Sequence, residues 1–224
     1  MALPARRADA EPASPPRFIA VEGPIGVGKT TLVKRLAESL NHLAVLEQAE
    51  QNPFLERFYR DTRQNALAAQ LFFLFQRAQQ INELRQGDLF APAWVADFLI
   101  AKDQLFARLN LDPNEFALYD KVFNQLAIDA PTPDLVVYLQ APTDVLLHRI
   151  QQRGIRYEQN IERAYLDKIN AAYSEFFLYY DDAPLLIVNA AQMDFAHSDP
   201  DYEQLVSYLL NIRSGRHYFN PSLI

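Results

Sequence analysis

The stretch VEGPIGVGKTTL, residues 21–32, decides the fold. It places Gly23, Gly28, Lys29 and Thr30 at the spacing of a phosphate-binding loop. Phe18 to Val21 before it is a short apolar run, and residues 30–40 after it carry Leu32, Leu36, Ala37 and Leu40 at helical spacing. Strand, tight loop and helix is the context this motif needs. Successive backbone N–H groups curl around phosphates there, glycine lets the backbone come close, and the helix turns its positive end toward the anion. The predicted nucleotide-binding set is therefore Gly23, Pro24, Ile25, Gly26, Val27, Gly28, Lys29, Thr30 and Thr31. Lys29 is expected at the terminal phosphates and Thr30 at a magnesium ion bound with ATP.

Working outward, Leu43 to Leu46, Trp94 to Ala96, Leu135 to Leu139 and Leu185 to Val188 read as further short strands separated by helical stretches. With the first run they predict an α/β fold with a parallel five-stranded sheet flanked by helices. The chain has 224 residues, 50% of them hydrophobic, which suits a single domain over residues 17–224. Residues 1–16, MALPARRADAEPASPP, hold no continuous apolar run and are expected to form a disordered arm. The net charge of −7 argues against a protein held on nucleic acid, and no segment reads as a membrane span. Cysteine is absent, so nothing calls for an oxidising compartment and a cytoplasmic location is expected. The helix expected from about Ala66 to Arg85 is apolar around much of its circumference, so it is either buried inside the chain or packed on a second copy.

The loop alone leaves the reaction open, and chemistry at the strand ends narrows it. In this architecture ligands meet the carboxyl ends of the strands. Glu47 and Asp97 each end a predicted strand. Glu47 suits a general base, with Glu50 as the competing carboxylate, and Asp97 suits a magnesium ligand or a strand-end cap. Gln70 and Arg77 lie seven residues apart and leave one face of the greasy helix, where polar groups need partners. They serve either as a nucleobase edge or as a structural pair. Between Asp144 and Arg163 sit Arg149, Arg153, Arg156 and Arg163, with Gly154 able to end a helix.

VLEQAEQNPFLERFY at 45–59, Gln70, Arg77, Asp97, Asp103 and LLHRIQQRGIRYEQ at 146–159 together resemble the deoxyribonucleoside kinases. The resemblance runs from about Phe18 to Val188 and is closest to bacterial deoxyadenosine and deoxyguanosine kinases, with the deoxycytidine kinase pattern around Gln70 and Arg77. It implies a P-loop kinase fold with an arginine-rich lid at about 153–164, and ATP-dependent phosphorylation of a deoxyribonucleoside 5′-hydroxyl. Glu47 would then be the base, assisted by Lys29 and Arg153, and Arg149 would join Arg153 on the ATP side. Thr30 and Asp97 would hold Mg2+. Glu47, Tyr59, Gln70, Arg77, Asp103, Phe106 and Glu158 would bind the nucleoside, with Tyr59 and Glu158 on its 3′-hydroxyl and Ile25 near the base. Phe54, Phe73, Trp94, Phe98 and Phe106 are the aromatic residues available to a base pocket. Phe98 departs from the pattern, because many relatives place an arginine there. The resemblance also implies a homodimer. Two other readings remain open at this level. One is a nucleoside monophosphate kinase that receives its acceptor's phosphate on Arg57, Arg60 and Arg63, and the other is a non-catalytic ATP switch.

Overall fold

The computed structural model describes residues 14–86, 93–126, 130–195 and 198–221. Residues 1–13 of the expected arm lie outside them, and the carbonyl of Pro16 already stands 2.8 Å from His42 Nε2. In chain order the elements are β1 (Phe18–Glu22), α1 (Lys29–Leu40), β2 (Leu43–Val45), α2 (Leu55–Arg60), α3 (Thr62–Gln86), β3 (Trp94–Ala96), α4 (Asp103–Asn110) and α5 (Pro113–Gln125). Then come β4 (Leu135–Gln140), α6 (Thr143–Arg153), α7 (Arg163–Tyr179), β5 (Leu185–Asn189), α8 (Asp199–Leu209) and β6 (Arg216–Phe219).

The sheet has six strands in the order β2-β3-β1-β4-β5-β6, every neighbouring pair parallel. The expected five are all present, and the correction is β6, drawn from a C-terminal run with no readable role. Its residues, RHYF, bury Phe219 while Tyr218 stays 66% exposed. An edge strand pairs through its backbone on one side and needs little apolar pattern, so composition could not reveal it.

Side chains of β1 and β4 alternate between the two faces of the sheet. Ile19, Val21, Val137 and Leu139 pack with Leu32, Leu36, Leu146, Ile150 and Leu205 on one face. Ala20, Val136 and Tyr138 pack with Ile169, Tyr173 and Phe177 on the other. A third cluster joins Leu55, Phe58, Ala66, Leu74, Ala107 and Tyr119 beside the sheet. The greasy helix is α3, whose buried line is Ala66, Ala69, Leu74, Ala78 and Ile81 against α2, α4 and α5, while Phe75 is 52% exposed. Pro53 and Phe54 form a turn ahead of α2, which begins at Leu55. Asn52 accepts from the Phe54 N–H at 3.0 Å and donates to the Ala69 carbonyl at 3.1 Å, which turns the chain before the helix starts.

Because β2, β3 and β1 are adjacent, the segments leaving their carboxyl ends, which bear Glu47, Asp97 and the Gly-rich loop, arrive side by side.

Candidate active site

The loop after β1 is held close to β4 and α6. A Cβ on Gly23 (φ 148°) would stand 2.5 Å from the Leu139 carbonyl oxygen, and one on Gly26 (φ 81°) 2.8 Å from Ile150. Only glycine permits that approach at those angles. No side chain caps the N-terminus of α1, so its first-turn N–H groups face the loop mouth. Lys29 Nζ arches back to donate to the carbonyls of Gly23 at 2.8 Å and Pro24 at 3.3 Å. Burial, then Lys102, lowers its pKa, against the pull of Glu22, Asp97 and Glu47.

A cavity of about 550 Å³ opens over this loop. Gly23, Ile25, Gly26, Val27, Gly28, Lys29, Thr30 and Thr31 line it, whereas Pro24 is buried behind. Thr30 Oγ1 donates to Asp97 Oδ2 at 2.9 Å, and Asp97 Oδ1 accepts the Glu47 backbone N–H at 2.6 Å. Asp97 thus ties the magnesium-type hydroxyl to the base candidate. Burial raises its pKa, partly offset by that N–H donor. Hydroxyl and carboxylate oxygens are hard ligands suited to magnesium, which takes most of its remaining shell from phosphates and water. No cluster of three or more acidic, histidine or cysteine ligands occurs among the described residues.

The opposite wall carries Glu47, Tyr59, Gln70, Phe73, Arg77, Phe106 and Glu158. Glu50 is exposed on the short 3-10 turn Ala49–Gln51 and does not line the cavity. Arg77, 6% exposed, bridges two carboxylates, with Nη1 donating to Asp103 Oδ1 and Nη2 to Glu47 Oε1. Burial pushes Glu47 up, but Arg77, Lys102 and Lys29 outweigh it and hold the carboxyl below its ordinary value. Asp103 differs from its expected place. It is 1% exposed, lies behind Arg77 and is not part of the cavity wall, so it reaches a ligand only through that guanidinium. The pair is also not a two-bond fork: Asp103 Oδ2 and Arg77 Nε have no hydrogen-bond partner. Burial raises Asp103 to about 6 despite Arg77.

Of the aromatic candidates, Phe73 and Phe106 line the cavity. Trp94 instead stacks on Phe18 at 3.8 Å, and Phe98 and Phe54 pack in the core clusters.

The lid arginines separate into different roles. Arg149 donates to the carbonyls of Val27 at 3.1 Å, Ala190 at 2.8 Å and Met193 at 3.0 Å, so it braces the loop wall while lining the cavity. Arg153, the last residue of α6 before Gly154 (φ 69°), pairs with Glu158, itself 8% exposed on the 3-10 turn Arg156–Asn160. Tyr157 on that turn stacks parallel to Tyr59 with centroids 6.1 Å apart. Burial pushes the Tyr59 hydroxyl well up, with Tyr165 and Glu158 adding to it, so it stays a neutral donor. Arg156 is exposed, and Arg163 pairs with Asp144 at the surface. Arg57, Arg60 and Arg63 are all exposed and none lines the cavity, so the cationic receiver that a monophosphate acceptor needs is not formed by them.

Sequence reading missed Glu22, Lys102, Tyr165, Tyr173 and the wall from Ala191 to Phe195. Glu22 was signalled by position, an acid inside the strand that leads into the loop, and Lys102 by standing between Asp97 and Asp103. The others come from segments far away in the chain and carried no local sign. The assembled cavity sets an anion cradle and its lysine against an ionised carboxylate, with an amide, a guanidinium and two phenyl rings beyond.

The profile of the deoxynucleoside kinase family matches residues 19–212. A deoxyguanosine kinase of Bacillus subtilis (strain 168) is 32% identical over 201 residues, covering 86% of this chain and 95% of that protein. A deoxyadenosine kinase of Lactobacillus acidophilus is 30% identical over 193 residues, covering 80% of this chain and 88% of that protein. Among solved structures, deoxyadenosine kinase from M. mycoides with the products dCMP and a flexible dCDP superposes with a TM-score of 0.75 at 25% identity, covering 87% of this chain and 100% of the other. The same enzyme with bound dATP gives 0.73, also at 25% identity, covering 86% and 98%.

Proposed function

From the premise that this chain belongs to the deoxynucleoside kinase family and is a phosphotransferase, we propose that it phosphorylates the 5′-hydroxyl of a purine deoxyribonucleoside with Mg2+-ATP. The observation that carries this reading is the single cavity in which Lys29 and the Gly-rich loop face Glu47, Gln70 and Arg77. ATP phosphates lie on the loop amides and the N-terminus of α1, with Lys29 on the terminal groups. Thr30 and Asp97 would hold Mg2+, which neutralises charge on the transferring phosphate. Glu47, ionised at neutral pH, accepts the 5′-hydroxyl proton as the oxygen attacks. Arg153 closes positive charge over the transferring group, and its tie to Glu158 couples that motion to the sugar end of the cavity, where Tyr59 donates. Gln70 and Arg77 meet the base edge, with Phe73 and Phe106 as flat apolar neighbours.

Purified protein incubated with γ-labelled ATP, Mg2+ and each of the four deoxynucleosides tests the assignment. Labelled 5′-monophosphate is expected most rapidly from deoxyguanosine or deoxyadenosine, with deoxycytidine slower. A preference for thymidine removes the base assignment, and transfer to a monophosphate acceptor but to no nucleoside restores the rival reading. We also place the enzyme in the cytoplasm as a homodimer, paired through the α3 side of the molecule. Phe75 there and Leu118 on α5, both about half exposed, are the apolar groups such a contact would cover. Analytical ultracentrifugation should find a dimer, and Phe75→Glu with Leu118→Glu should shift it toward monomer.

A further inference from the structure

Lys102 is a buried cation in the active-site wall for which the proposed transfer has no role. It ends the 3-10 turn Ile100–Lys102 at the entry to α4, its side chain is 4% exposed, and it lines the same cavity as Lys29 and Glu47. Its ammonium lies 3.3 Å from Glu22 Oε1, beyond the roughly 2.7–2.9 Å of a charge-assisted bond. Glu22 is already supplied with donors. Its Oε1 accepts the Leu99 N–H at 2.6 Å, and its Oε2 accepts the Tyr173 hydroxyl at 2.9 Å and the Gly23 N–H at 3.2 Å. The imbalance therefore falls on the lysine, which has three N–H donors and one distant acceptor. The Phe106 ring, 5.3 Å from Nζ, is a cation–π neighbour and offers no oxygen. A desolvated ammonium needs acceptors, and the space beside this one is the cavity that it lines together with Lys29 and Glu47, both close enough to feel its charge. Position 98, where the resemblance expects an arginine, holds Phe98 at 2% exposure in the core, and it brings no charge to the site.

We propose that Lys102 is a second phosphoryl-directed cation, anchored by Glu22, whose ammonium binds an oxygen of the group in transfer together with Lys29. This rests on the transfer reaction proposed above. In that step the 5′-oxygen bonds to the γ-phosphorus and the bond from that phosphorus to the β,γ-bridging oxygen breaks. The electron pair leaves with ADP, and the hydroxyl proton passes to Glu47. Lys102 keeps its own protons throughout and supplies fixed positive charge where negative charge spreads.

The test is a double-mutant cycle on the intact chain. Lys102→Met should lower kcat by roughly 10²–10³ while KM for ATP and nucleoside stays within about threefold, the pattern of a donor engaged mainly in the transition state. Lys102→Arg should recover most of the loss. If Lys102 serves only to neutralise Glu22, removing it in a Glu22→Gln background costs nothing further, and that result overturns the proposal. On the proposal, Glu22→Gln/Lys102→Met has a thermal midpoint no lower than that of Glu22→Gln, because the double variant leaves no unpaired buried charge, yet it remains at least tenfold slower than Glu22→Gln. A wild-type protein that turns over, beside a Lys102→Met variant that matches it, sinks the lysine role alone. A wild-type protein that labels no deoxynucleoside sinks the underlying reaction instead.

Discussion

Arg77 is a buried residue that ties the proposed base to the core. Its guanidinium holds Glu47 on the cavity side and Asp103 on the core side. Glu47→Gln should reduce turnover by about 10²–10⁴ if the carboxylate is the base, measured by steady-state assay, and near-normal turnover would remove it from that role. The two carboxylates have opposite pH signatures. Glu47 is held below 4.5, so its contribution to stability is present above that value and is lost as pH falls through its folded pKa. Asp103 is raised from 3.8 to about 6, so the folded protein keeps a proton the unfolded chain has shed, and folding weakens as pH rises through that window. Asp103→Asn lacks this decline. Its unfolding free energy relative to wild type should therefore rise between about pH 4 and pH 6, as read by urea titrations at each end. An unchanged difference would count against the raised carboxyl.

At the scale of elements, α6 carries two arginines four residues apart whose surroundings differ completely. Arg149 is committed to three carbonyls from the loop and from the wall after β5. Arg149→Ala leaves those carbonyls short of a donor and should cost about 2–3 kcal/mol in chemical denaturation. Arg153 is 42% exposed and pairs with Glu158. Arg153→Ala should change stability by less than about 1 kcal/mol while lowering kcat by roughly 10²–10³. Equal stability losses in the two variants would refute this division. Gly154 closes α6 in the left-handed region with nothing within 4 Å of a Cβ added there. Gly154→Ala thus reports backbone strain alone, about 1 kcal/mol. The same exchange at Gly23, which meets the Leu139 carbonyl, should abolish ATP binding as measured by calorimetry.

At the scale of the molecule, the two halves of the sheet differ in what they carry. Segments bearing Glu47, Asp97 and the Gly-rich loop leave the carboxyl ends of β2, β3 and β1, and the loop is pressed against β4 and α6. The edge strand β6 pairs with β5 from Leu185↔Arg216 to Val188↔Phe219, and Phe219 enters the core. Ending the chain before Arg216 should expose the β5 edge and lower the thermal midpoint by several degrees or drive aggregation, seen in a melt followed by light scattering. No described helix is long and apolar enough to cross a membrane.

Local spacing alone fixed the loop, the strand before it and the helix after it, because phosphate binding by backbone amides depends on residues adjacent in the chain. The positions of Glu47 and Asp97 were legible for a related reason: strand ends in a parallel sheet share one edge. What only the tertiary structure decided involves partners far apart in sequence. Glu22 meets Tyr173 across 151 positions, and Arg149 reaches Val27 across 122. Asp103 lies behind Arg77 and Lys102 lies in the cavity, although they are neighbours on one turn. No pattern of hydrophobicity or charge along the chain records which side chain faces a ligand once distant elements pack, since that direction is set by the packing itself.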